Sequence, residues 1–80
     1  MIKWDVIHVF EGRMTSDQKD AVNNLSVATG VYNASGDRSI IGMHIIAEYA
    51  TIAAMRAGEL IRNTLDREHL DVHSITIKRA

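Results

Sequence analysis

Along this chain of 80 residues the spacing of apolar side chains switches between two periods, and the switches follow the order β-α-β-β-α-β from end to end. A period of two marks a strand and a period near 3.6 marks a helix. Six elements in that order leave room for short connections only, so few topologies remain open.

Residues 2–11 form the first predicted strand. Ile2, Trp4, Val6, His8 and Phe10 alternate onto one face, and Lys3, Asp5, Ile7, Val9 and Glu11 onto the other. The simplest assignment turns Trp4, Val6 and Phe10 inward. Thr15 with Gln18 three residues later has capping-box spacing, and Asp17 suits the positive end of a helix dipole. The helix so started buries Ala21, Val22 and Leu25 and ends near residue 25, where β-branched residues return. Residues 27–34 make a second strand interrupted by Gly30. Ser35-Gly36-Asp37-Arg38 reads as a hairpin turn, with Gly36 at a positive φ.

Ser39 to Tyr49 is the third strand and the most apolar segment. Ile41, Met43, Ile45, Ala47 and Tyr49 share one face; Ile40, Gly42, His44, Ile46 and Glu48 share the other. Apolar residues on both faces point to a central strand, and Gly42 to a bulge within it. The second helix is expected from Thr51 to Arg67. Its apolar stripe is Ala54, Ala57, Gly58, Ile61 and Leu65, with Ala53 and Leu60 at the margin. The small residues would let it sit close to a sheet. Asp71 to Arg79 is the last strand, with Ile75 and Ile77 on one face and Val72, Ser74 and Thr76 on the other.

The sequence has no cysteine, which excludes disulfides, thiolate metal sites and a cysteine nucleophile. Stability must come from packing, and 46% hydrophobic content supplies the material. A chain this small shares some of its apolar surface with a second copy or a partner more readily than a large one. Nine Lys and Arg against ten Asp and Glu give a net charge of −1, hence no general attraction to nucleic acid or anionic membranes. Lys78 and Arg79 at the chain end read as a solvated tail. No apolar run spans a bilayer and the first residues lack a signal-peptide core, which points to a cytoplasmic protein.

Short connections and right-handed crossovers select one arrangement over residues 1–80: a single α+β domain, the two-layer ferredoxin-like βαββαβ sandwich. Its antiparallel sheet would have the order 4-1-3-2, with both helices on one face. That order makes the first and third strands central, and these are the two most apolar. Trp4-Asp5-Val6 followed by Phe10-Glu11 resembles the start of small uncharacterised proteins of actinobacteria and their phages, a resemblance that implies this fold and no activity. Other families of the fold leave their marks elsewhere. Copper chaperones carry a Cys-x-x-Cys loop where Gly12-Arg13-Met14-Thr15 stands here. Of the anion loop of acylphosphatases only Gly12 and Arg13 have counterparts.

Four histidines, His8, His44, His69 and His73, raise the question of a metal site. The faces argue against one: His8 lies with Trp4 and Phe10, and His44 lies opposite Met43 and Ile45. No metal or other cofactor is therefore expected. An enzyme or ligand-binding reading, resembling small dimeric monooxygenases of this fold, would use a pocket near Trp4, His8 and Tyr49, with Asn33. General acid–base work by His8 would need a partner to fix its tautomer. Asp5 and Glu11 lie on the wrong face for that, so no catalytic residue is assigned.

The second apolar face of the sheet carries the first functional expectation. Ile7, Val9, Ile40, Ile46 and Val72 would point away from the helices. Burying roughly 300–400 Å² there would contribute on the order of 8–10 kcal/mol at ~25 cal/mol/Å², before association costs. The sequence thus points to a non-enzymatic interaction or regulatory module, a homodimer or a binder of another protein, with contacts at Ile7, Val9, Ile40, His44 and Ile46. Ordinary exposure of these residues is the plainer alternative.

Overall fold

The computed structural model describes residues 1–65 and 71–80. Its elements are β1 (Ile2–Glu11), α1 (Ser16–Asn23), β2 (Ala28–Ala34), β3 (Arg38–Ala47), α2 (Ala50–Leu65) and β4 (Val72–Arg79). All pairings are antiparallel and the strands lie in the order β2-β3-β1-β4. Both helices pack on one face of this sheet. This is the ferredoxin-like α+β sandwich with the expected strand order. Arg67, the expected end of the second helix, and His69 lie outside the described residues.

β1 and β3 are central because both can bury one whole row of side chains. Their register sets Trp4, Val6, His8 and Phe10 of β1 beside Ile45, Met43, Ile41 and Ser39 of β3. Val6, Ile41 and Met43 are fully buried in this inner row, and Val22 of α1 and Ile61 of α2 close over it. Each such side chain contributes about 1.5–3 kcal/mol relative to exposure.

α1 begins as its sequence dictates. Thr15 Oγ1 accepts from Gln18 N at 3.1 Å, and Gln18 Oε1 accepts from Thr15 N at 2.8 Å. These two bonds satisfy donors that a helix start otherwise leaves unpaired. The helix ends at Asn23, and of its expected stripe Val22 is buried while Ala21 and the following Leu25 are half-buried. The hairpin between β2 and β3 holds Gly36 at φ 75° and Asp37 at φ 52°. Asp37 O accepts from Gly12 N, and Gly12 O accepts from Ser39 Oγ at 2.7 Å, which ties the β1–α1 connection to the hairpin.

Four expectations need correction. β3 ends at Ala47, not Tyr49, because Glu48 and Tyr49 bend into the helix, whose first acceptor is Tyr49 O (3.1 Å from Ala53 N). The bulge opposite Gly42 is in β2: the register passes from Ala28↔Met43 to Gly30↔Gly42, and Thr29 is the extra residue. α2 is rotated relative to its expected stripe. Ala53 and Ala57 are fully buried, with Ile61 and Leu65 in line, whereas Ala54 and Gly58 are half-exposed. Val72 does not point away from the helices. A second bulge shifts the β1–β4 register from Val9↔Ser74 to Phe10↔Val72, so Val72 shares the inner side with Phe10.

Candidate functional site

The two faces of the sheet offer two different surfaces. On the outer face the β1–β3 register pairs Val9 with Ile40, Ile7 with Gly42, Asp5 with His44 and Lys3 with Ile46. Period two then brings Ile7, Val9, Ile40, His44 and Ile46 to one side, away from both helices. Ile7, Val9, Ile40 and His44 are half-buried by their neighbours, and Ile46 is 54% exposed. Tyr32 of β2, opposite Ile40, adds a ring that is 52% exposed. Tyr32 is not legible as an outer-face residue from the sequence, because the Thr29 bulge resets the phase of β2.

The centre of this outer face is low. Gly42 and Gly30 are cross-strand neighbours without side chains, and a shallow groove of about 210 Å³ lies over them, flanked by Asp5, Ile7, Tyr32 and Ile40. Thr29 reaches across from the bulge to cover Gly42, which is why a glycine in an open sheet face is buried. The ends of the face are charged. Lys3 stands at one end, and one pair in from it His44 Nε2 lies 3.8 Å from Asp5 Oδ1. At the other, Glu11 meets Arg38 at 3.5 Å and His73 Nδ1 at 3.0 Å.

On the inner side a cleft of about 450 Å³ opens between α2 and β4, with His8 among its lining residues. His8 is 2% exposed and stacks on Phe10, with ring centroids 5.6 Å apart and planes at 16°. Strand alternation puts the two rings on one face, and the register sets Ile75 of β4 beside His8. Gly58 of α2 lies above: a Cβ there would stand 4.0 Å from His8 Nε2. Among the described residues His8 Nδ1 has no hydrogen-bond partner. Burial pushes the imidazole pKa below its ordinary value, because a charge there would lose its hydration. Arg62 and Asp71, both exposed, set one charge of each sign at the cleft.

The structure does not gather Trp4, His8 and Tyr49 into one pocket. His8 alone of the three lines the cleft. Trp4 shares its face but lies four residues away, about 13 Å along the strand. Its Nε1 donates to Ala47 O at 3.0 Å, and the Arg79 guanidinium sits 5.9 Å from its ring centroid. Tyr49 is 63% exposed, beyond the end of β3, and its carbonyl serves the start of α2. Asn33 is a clamp: its side chain accepts from Met14 N at 2.8 Å and donates to Met14 O at 3.0 Å. His8 and His44 face opposite sides of the sheet, and His73 is held by Glu11. Among the described residues no three metal-ligating side chains come together. Among them, too, no helix is long and apolar enough to cross a membrane.

No protein-family model matches the chain, and no curated protein matches it. Among solved structures, an acylphosphatase from Bacillus subtilis is similar with a TM-score of 0.46 and 18% identity, over 100% of this chain and 86% of that one. The assignment of the fold rests on the strand order and pairing themselves.

Proposed function

We propose that the protein is a non-enzymatic, cytoplasmic interaction module that pairs with a second copy of itself through the outer face of its sheet. Its resemblance at Trp4-Asp5-Val6 and Phe10-Glu11 suggests a setting in actinobacteria or their phages. The observation that carries the proposal is the shape of that face: a groove over Gly42 and Gly30, with Tyr32 and Ile46 standing exposed on either side of it. A two-fold axis presents the same patch from both copies, so a face with both a hollow and a protrusion can fill itself.

Size and charge agree with a second copy as the occupant. Strand residues at ~3.3 Å rise and ~4.8 Å spacing give the face a footprint of roughly 550 Å². Two such faces total about 1,100 Å², just above the ~1,000 Å² that a specific interface needs. The net charge of −1 sets up little repulsion between copies. Glu11 with Arg38 places both signs at one end of the face, and Asp5 with His44 sets a polar pair inside the Lys3–Ile46 end, where a two-fold can match them. The non-enzymatic part rests on His8, the one buried histidine among the described residues. The nearest carboxylates on its strand, Asp5 and Glu11, belong to the opposite face or the strand end and do not fix its tautomer.

Light scattering on the intact chain and on Ile46→Glu tests the proposal. The intact chain should give twice the chain mass and the variant a folded monomer. Ile46 is exposed; its backbone pairs with Lys3 in the sheet and its carbonyl accepts from Arg56 at 2.7 Å, both of which the side-chain change leaves in place. A monomeric intact chain at high micromolar concentration would end the proposal.

A further inference from the structure

Along the outer face the two halves of the sheet, β4 with β1 and β3 with β2, are complementary in size rung by rung. On the central rung Thr76 and Ile7 stand on the first half, while Gly42 and Gly30 leave a hollow on the second. One rung on, the sizes reverse at the edges: Ser74 is the small residue on β4 and Tyr32 the large one on β2. One rung back, Asp5 on the first half stands beside His44 on the second, 3.8 Å apart.

Resting on the self-pairing proposed for this face, we infer that its two-fold axis runs parallel to the strands, between β1 and β3, so that each half of one copy lies on the opposite half of the other. Such an axis keeps every rung at its level and exchanges β1 with β3 and β4 with β2. Ile7 and Thr76 then enter the partner's hollow at Gly42 and Gly30, Tyr32 covers the partner's Ser74, and Asp5 meets the partner's His44. Each contact is made twice. Lys78 falls on the partner's β2 side, where residues 24–36 carry no charge to repel it. The twist of the sheets turns the two layers by about 30° and leaves this pairing of rungs in place.

The alternative axis in the plane of the face, across the strands, reverses the rungs and lays each strand on its own copy. It would set hollow on hollow at Gly42, forfeiting the contacts a filled hollow makes. It would also press Asp5 onto the partner's Val9, where a carboxylate finds no hydrogen bond. Its one gain is Lys3 with the partner's Glu11, an ion pair at the exposed ends that water weakens.

The chain has no cysteine, so Lys3→Cys and, separately, Ser74→Cys each take a single nitroxide at an exposed position. Each spin-labelled chain is mixed with ¹⁵N-labelled parent chain, and the broadening of parent amides reads the partner's side. The label at residue 3 should broaden Ile46 and spare Arg38, which lies about 26 Å further along β3 for eight residues of strand. The label at residue 74 should broaden Tyr32 and spare Lys78. Broadening of Arg38 by the first label, or of Lys78 by the second, would overturn the strand-parallel axis and leave the outer-face pairing standing. A parent chain that scatters as a monomer, or a dimer broadened only at its helices, would overturn axis and pairing together.

Discussion

Thr29 Oγ1 lies 2.8 Å from the point where a Cβ on Gly42 would stand. The backbone of Gly42 is not in the left-handed region, so the glycine is there for space. Thr29 is β-branched and has little rotamer freedom with which to move aside. Gly42→Ala should therefore cost about 1–3 kcal/mol of stability, as overpacking does. The double variant Gly42→Ala with Thr29→Ala should recover at least half of that loss in urea unfolding. A cost unchanged by removing Thr29 would place the strain elsewhere.

Asn33 holds both backbone groups of Met14, whose side chain is buried at 5% exposure. Asn33→Ala leaves an N–H and a C=O without partners in a half-buried place. The cost should be about 1–3 kcal/mol in chemical denaturation, and Asn33→Asp should retain the bond from Met14 N alone and lose less.

The capping box at α1 joins Thr15 and Gln18 reciprocally. Thr15→Ala should cost about 0.5–2 kcal/mol. Amide exchange should show the loss first in the opening turn of α1, since local opening there precedes global unfolding. Protection unchanged in that turn would mean that packing of Val22 alone holds the helix.

His8 gives stability a pH dependence with a definite sign. Its folded pKa is depressed by burial below the ordinary 6.5, while the unfolded imidazole keeps that value. Above about pH 6.5 both states are neutral and the contribution to stability is complete. As pH falls below that point the unfolded chain takes up a proton that the folded chain lacks, and stability declines until the folded imidazole titrates as well. Urea titrations at about pH 7.5 and 5 should show a smaller loss on acidification for His8→Phe than for the parent chain. An identical loss would assign the acid sensitivity to other groups.

The order of strands was legible because the two central ones announce themselves. β1 and β3 carry apolar residues in both phases, and only the middle of a sheet accommodates that. The start of α1 was legible because Thr15 and Gln18 are local chemistry. What stayed hidden depends on one-residue slips between distant segments. The bulge at Val9 and Phe10 turned Val72 to the inner side, and the bulge at Thr29 fixed the phase that exposes Tyr32. Likewise the stripe of α2 contains alanines and a glycine that satisfy several rotations equally, and packing on β1 and β3 chose Ala53 over Ala54. The cleft at His8 follows from those unreadable details, so the sequence showed the histidine and not the space beside it.

The most direct measurement is an isotope-filtered NOE experiment on a mixture of labelled and unlabelled chains. Pairing through the outer face predicts cross-copy contacts among the methyl groups of Ile7, Ile40 and Ile46 and the ring of Tyr32, all lost in Ile46→Glu. Cross-copy contacts confined to the helices or to the inner cleft, or none at concentrations where the chain scatters as a dimer, would contradict it.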